Sequence, residues 1–159
     1  MERRRPRSQQ GEPHKNGKGE QTGPPLSSRA LAIVHLAMYD AYAGALGNPP
    51  QLPPYLDHPP APAQASADAA VAGAAHATLA ALFPSQKAFF QAKHAQAGLS
   101  GNAAQLNAGN AFGVMVAQRL LDDRRNDPGV GDSGYAPSTA RGAHRADPDD
   151  PEQGFHAPL

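Results

Sequence analysis

Residues 27–46 read SSRALAIVHLAMYDAYAGAL, and this stretch decides the fold class. Leu31, Val34, Met38 and Tyr42 recur at helical spacing, and Ile33, Leu36 and Tyr39 cover a neighbouring face. Strand alternation is absent. Pro24-Pro25 precede the stretch and the hydroxyls of Ser27-Ser28 are placed to cap it. Gly47 ends it, with Asn48-Pro49-Pro50 beyond. The segment is apolar nearly all round, which predicts a central, buried helix.

Working outward, Gln51 to Ala65 is proline-rich (Pro53, Pro54, Pro59, Pro60, Pro62) and reads as an extended, ordered connection lying on a helical body. Ser66 or Asp68 opens a second helix to about Leu82, with Val71, Ala75, Leu79 and Leu82 marking its face. Pro84 stops it. Ser85 is placed to cap a short third helix over about 86–97, which ends at Gly98 in a left-handed position. Ser100 is placed to cap a fourth helix to about Arg125, with Leu106, Phe112, Val116 and Leu120 near one stripe. Gly109 and Gly113 lie four apart on it. Each costs about 1 kcal/mol against alanine in a helix, a cost usually offset by close approach of a second helix.

The expected architecture is therefore all-α: about four helices forming part of a helical bundle. Residues 1–23 form a polar, basic arm for which disorder is expected, residues 24–126 the helical portion, and residues 127–159 a long irregular tail. The core should be thin for 159 residues. Apolar content is 40%, but much of it is alanine, and tryptophan is absent.

Composition excludes several function classes. Zero formal net charge argues against a nucleic-acid binder, although Arg3, Arg4, Arg5 and Arg7 crowd the start. The absence of cysteine removes disulfides, a thiolate nucleophile and cysteine-ligated metal. No apolar run approaches the ~18 residues of a membrane span, and no apolar stretch follows the basic start as a signal peptide requires. A cytoplasmic location is the default expectation.

The motifs that carry chemistry elsewhere fail on context. Gly129-Val130-Gly131-Asp132-Ser133-Gly134 matches G-x-G-x-x-G, but it follows a helix and precedes proline-rich coil, where no strand aims amides at a pyrophosphate. Within it, Gly131-Asp132-Ser133-Gly134 is similar to a serine-protease nucleophile segment, but an all-helical chain lacks that scaffold. Asp147, Asp149, Asp150 and Glu152 do not keep the spacing of a calcium loop. There is no HExxH. His35 and His76 read as satisfied core histidines, while His144 and His156 in the tail could face a pocket. No catalytic, cofactor-binding or metal-ligating residue is nominated.

Three segments carry a resemblance. The first is Ser28-Arg29-Ala30-Leu31 through His35, Ala37 and Tyr39-Asp40-Ala41, with the pattern R-A-L-x-x-x-H-x-A-x-Y-D-A. The second runs from Ala69 through His76 to Phe83-Pro84-Ser85-Gln86. The third comprises Gly134-Tyr135, Gly142-Ala143-His144-Arg145, Asp147-Pro148-Asp149 and Gln153 to Pro158. In this order and spacing they resemble bacterial vanadium-dependent haloperoxidase-like proteins, a branch of the type 2 phosphatidic acid phosphatase superfamily.

The resemblance implies a large helical fold and a vanadate cofactor. In the family, vanadate is held by a lysine, arginines, a Ser-Gly-His element and a histidine bonded to vanadium. It is used with peroxide to oxidise halide, and phosphatase relatives use the same pocket for phosphoryl transfer. Those elements belong to the C-terminal half of the family pattern, and this sequence has no Pro-Ser-Gly-His. The expectation is a truncated or split haloperoxidase-like protein, inactive alone and binding no vanadate alone. A non-catalytic helical scaffold protein and a portion of a phosphatase relative are the alternatives. The expected partner is the missing catalytic half. A homo-oligomer is compatible with the sequence, a membrane is not expected, and nucleic acid is disfavoured.

Overall fold

The structure, a computed structural model, describes residues 20–21, 24–127, 140–143, 145 and 148–149. The glycine-rich motif at 129–134, most of the acidic cluster, His144 and His156, and nearly all of the arm and tail lie outside the described residues. Among those described there are four α-helices and no strand: α1 (Pro24–Ala45), α2 (Ala67–Leu82), α3 (Lys87–Ala95) and α4 (Ala103–Asp123). A single 3-10 turn, Pro84–Gln86, joins α2 to α3. The all-α expectation holds. No helix among the described residues is long and apolar enough to cross a membrane.

The helix ends follow local chemistry, not always the expected residue. α1 begins at Pro24, before Ser27, because proline's fixed φ suits a first turn that needs no N–H donor. The serine hydroxyls donate instead of capping: Ser27 Oγ to the Gln21 carbonyl at 2.8 Å, and Ser28 Oγ to the Pro25 carbonyl at 3.0 Å. Ser66 caps α2 by accepting from the Ala69 N–H at 3.2 Å. Ser85 does not cap α3. It lies in the 3-10 turn, where its N–H and hydroxyl both donate to the Glu20 carboxylate at 2.9 and 2.7 Å. α4 is capped by Asn102 rather than Ser100: Asn102 Oδ1 accepts from the Gln105 N–H at 2.9 Å, and Gln105 reaches back to the Asn102 N–H.

The core lies between α1, α2 and α4, and α2 against α4 is the most extensive contact. Large side chains are few at its centre: Ile33 and Val34 from α1, and Phe112, Val116 and Leu120 from α4. α2 contributes Ala69, Ala70, Gly73, Ala74, Thr78 and, at its end, Leu82 as its buried side. Of the face expected for α2, Leu82 is buried as read, while Val71, Ala75 and Leu79 are only half-buried. The expectation for α1 also needs correction. Ala30, Ile33, Ala37 and Ala41 face inward, while Leu31 and Tyr42 are 59% and 43% exposed. His35 is exposed as well, and so is not a core histidine.

The correction to α2 has a cause in its contact with α4. The helices approach too closely for long side chains. A Cβ on Gly113 would overlap the Ala70 carbonyl oxygen and stand 2.9 Å from the Ala74 nitrogen. A Cβ on Gly109 would overlap the Ser66 carbonyl and stand 3.0 Å from the Ala69 Cβ. Reciprocally, a Cβ on Gly73 would stand 2.7 Å from the Asn110 carbonyl oxygen. The pair of glycines in α4 is thus offset by a closely approaching helix, as its spacing predicts.

Candidate functional site

Three polar arrangements stand out on this body. The first fastens the proline-rich segment across α1. Asp40 is the only charged residue between Ala30 and Leu56, and it is 1% exposed. Its two carboxylate oxygens accept from the Tyr55 N–H at 2.6 Å and the Leu56 N–H at 3.1 Å. Beside it in the chain, Tyr39 donates its hydroxyl to the Pro53 carbonyl at 2.8 Å. Further along, the Ala61 N–H donates to the Gly44 carbonyl at 3.0 Å. The segment is therefore an ordered strap. Burial pushes the Asp40 carboxyl above its ordinary range, against smaller opposing pulls from the Leu56 N–H and from His58. With both oxygens committed to backbone amides, Asp40 is a fastening group and not a poised base.

His58 sits under the strap, edge-on to Phe112 with ring centroids 5.6 Å apart. Its Nδ1 lies 2.9 Å from the Pro59 carbonyl, which can only accept, so Nδ1 is the donor of this bond. Its Nε2 is buried without a partner, as is the Asn48 Oδ1 nearby in sequence.

The second arrangement is the arginine-rich end where α1 starts and α4 stops. Arg29 pairs with Asp127 at 2.9 Å and donates to the Arg124 carbonyl at 2.6 Å. Arg124 lies beside Asp123 and Asp127, donates to the Tyr55 hydroxyl and covers that ring 5.3 Å from its centroid. Arg125 pairs with Asp122. Arg119 donates to the Asp57 carbonyl at 2.6 Å. A shallow cleft of about 470 Å³ lies here, lined by Leu56, Asp57, Arg119, Asp122 and Asp123.

The third is a pair of imidazoles holding α3 to α2. His76 and His94 stack with centroids 4.8 Å apart and 16° between planes. His76 was expected as a satisfied core histidine, yet it is only half-buried and its Nε2 is buried without a partner. Burial, then the charges of His94 and Lys87, hold its pKa below the ordinary 6.5. α3 carries no carboxylate to offset them. The folded state thus binds this proton less tightly than the unfolded chain does. Stability from His76 is present above pH 6.5 and is lost as pH falls from there towards the lowered folded value. Thermal midpoints of the wild type and His76→Gln should converge on acidification through this window. Parallel midpoints across it would remove His76 as the cause.

The profile of the vanadium chloroperoxidase N-terminal domain family matches residues 14–154. The chain belongs to this family. No curated protein matches it. The match covers all four helices and the strap, so the family resemblance carried by residues 28–41 acquires physical content. Arg29, Tyr39 and Asp40 of that segment turn to α4 or the strap, while His35 faces solvent.

Vanadate, the cofactor the family implies, is a phosphate-like oxyanion and requires uncommitted cationic donors or converging amides. The residues described here do not fit it. Arg29, Arg119, Arg124 and Arg125 each turn onto carboxylates or carbonyls. The cleft beside Arg119 places three carboxylate residues around one guanidinium, a field that repels an oxyanion. No group of three His, Asp or Glu among the described residues could hold a metal ion. No catalytic step is assigned to these side chains.

Sequence reasoning placed Arg29 and Asp40 in the family pattern without assigning them a role, and did not single out His58 or the other arginines. The single acid in α1 was the available signal for Asp40. The arginine partners lie as far as 98 residues away in sequence and leave no local trace.

Proposed function

We propose that this chain supplies the helical N-terminal portion of a haloperoxidase-like enzyme, with vanadate binding and peroxide-dependent halide oxidation belonging to residues outside these 159. The observation that carries this reading is the state of the arginines. On a body matching the family over residues 14–154, the described arginines of the helical core are spent on internal pairs rather than gathered around an anion pocket. The sequence also lacks the Pro-Ser-Gly-His segment to which the family's vanadate chemistry belongs. The body's part is to support the vanadate-binding portion, not to react.

Vanadium-51 resonance of vanadate titrated with this chain tests the reading, alongside a bromination assay with peroxide. The free-vanadate signal should neither shift nor broaden, and bromination should stay at background. When the chain is joined to a vanadate-binding portion from this family, bromination should exceed that of the portion alone. Vanadate binding or bromination by the chain alone would overturn the proposal. An unchanged rate on joining would also overturn it, pointing instead to an independent interaction protein.

A further inference from the structure

α3 is held to the body by less than any other helix. Among the described residues it packs on α2 and on the Pro84–Gln86 turn, and on no other element. None of its residues is buried, and only Phe90 and His94 are half-buried. These two lie one turn apart and form its footing. Phe90 meets Phe83 edge-on with ring centroids 6.3 Å apart, and His94 stacks on His76. On the other side His76, Leu79 and Phe83 share one stripe at helical spacing. Among the described residues no side-chain hydrogen bond or ion pair runs from α3 to the body. The hydrophobic core takes no residue from α3. The helix is jointed at both ends, by the proline turn before it and by Gly98 and Gly101 after it, whose φ angles are +62° and +137°.

Half of this footing titrates. Proton gain by both imidazoles places like charges on rings 4.8 Å apart. The surroundings do not offset that charge. α3 adds Lys87 and Lys93 and no acid, and Lys93 lies over Phe89. α2 has one acid, Asp68, in its first turn and about two turns from His76. The Pro84–Gln86 turn is uncharged, and the Glu20 carboxylate that reaches it bonds Ser85 through both oxygens. Behind α2, the charged groups of α1 and α4 are engaged elsewhere. Arg29 meets Asp127, Asp40 and Arg119 hold the strap, Asp122 meets Arg125, Asp123 meets Arg124, and His35 is exposed. A protonated His76 also carries an N–H at Nε2, which is buried with no acceptor.

We propose that α3 is a flap that mild acid lifts from α2, swinging on the Pro84–Gln86 turn and the Gly98–Gly101 segment while α1, α2 and α4 stay packed. The docked flap disfavours the protonated pair, so protons favour the lifted form. With the His76 pKa held below its ordinary 6.5, lifting sets in as pH falls from there. Leu79 and Phe83 on the body and Phe90 on the flap then meet water. The flap works in this way whichever portion of the protein binds vanadate.

Hydrogen exchange of the full chain, read by mass spectrometry, tests this, each rate being divided by that of an unstructured peptide at the same pH. Between about pH 7.5 and about pH 5, protection over residues 87–95 should fall at least about fivefold, while that of α1, α2 and α4 stays within about twofold. His94→Phe keeps a stacking ring without the charge, and its α3 should stay protected across the range. His94→Lys is charged throughout and should lose that protection already at the upper end. His94 lies outside the core, so both variants should keep the wild-type protection of α1, α2 and α4. Protection of α3 that does not change with pH would overturn the proposal, as would a loss shared equally by all four helices. A pH response unaltered in His94→Phe would overturn it too, and so would an α3 unprotected at every pH, which would mean that it is not docked.

Discussion

Gly113→Ala should lower the unfolding midpoint sharply, against the direction that helix propensity alone dictates. In an exposed helix the change gains about 1 kcal/mol. Here the new methyl group overlaps the Ala70 carbonyl oxygen and stands 2.8 Å from its carbon, and backbone cannot swing aside as a long side chain can. α2 and α4 must separate, and the layer of Ala70, Ala74, Val116 and Ala117 around the contact opens with them. Overpacking of this kind costs about 3 kcal/mol or more net, on the order of 10–20 °C in midpoint for a helical body of this size. Ala111→Gly, two residues away on the exposed side of α4, supplies the control and should cost about 1 kcal/mol. Thermal and urea unfolding followed by circular dichroism measures both. A Gly113→Ala variant as stable as wild type would mean that the two helices do not approach as described.

Asp40→Ala should release the strap. Two backbone N–H groups, of Tyr55 and Leu56, lose their acceptor in a segment that is half-buried to exposed. Each orphaned donor costs about 1–3 kcal/mol, so a loss of about 3 kcal/mol in all is expected. Asp40→Asn keeps one acceptor oxygen but turns an amide NH2 towards the second donor, and should fall between. Equilibrium unfolding gives the energies, and chymotryptic cleavage beside Tyr55 reports the strap directly, with cutting fastest in Asp40→Ala. Equal cleavage rates in all three proteins would show that the Tyr39 and Gly44 contacts hold the strap without Asp40.

Helix number and order were legible because punctuation in this chain is strong. Gly47-Asn48-Pro49-Pro50, Pro84 and Gly98 separate the helices, and Gly98 indeed adopts a φ of +62°. Which faces turn inward was not legible. Leu31, Tyr42 and Val71 carry sizeable apolar side chains, and a hydrophobicity count sends them to the core. Contact distance decides otherwise: where helices meet nearly backbone to backbone, alanine and glycine win the inner positions and the large side chains are left outside or half outside. Gly109 and Gly113 were the sequence's evidence for that geometry, yet their consequence for the α2 face requires knowing which helix approaches. The polar groups divide in the same way. The Asn102–Gln105 cap lies three residues apart and belongs to local pattern, although Ser100 was expected to supply it, while Arg29–Asp127 and Asp40–Tyr55 join residues 98 and 15 apart.

The alanine-and-glycine layer between α2 and α4 also sets how stability varies with temperature. Unfolding exposes little apolar surface per residue from such a layer, and apolar hydration is the main source of the heat-capacity increment. The free-energy curve of this body is therefore shallow and broad. Its stability changes slowly on either side of its maximum, and it rests on enthalpy from close backbone contact more than on the release of water from large side chains.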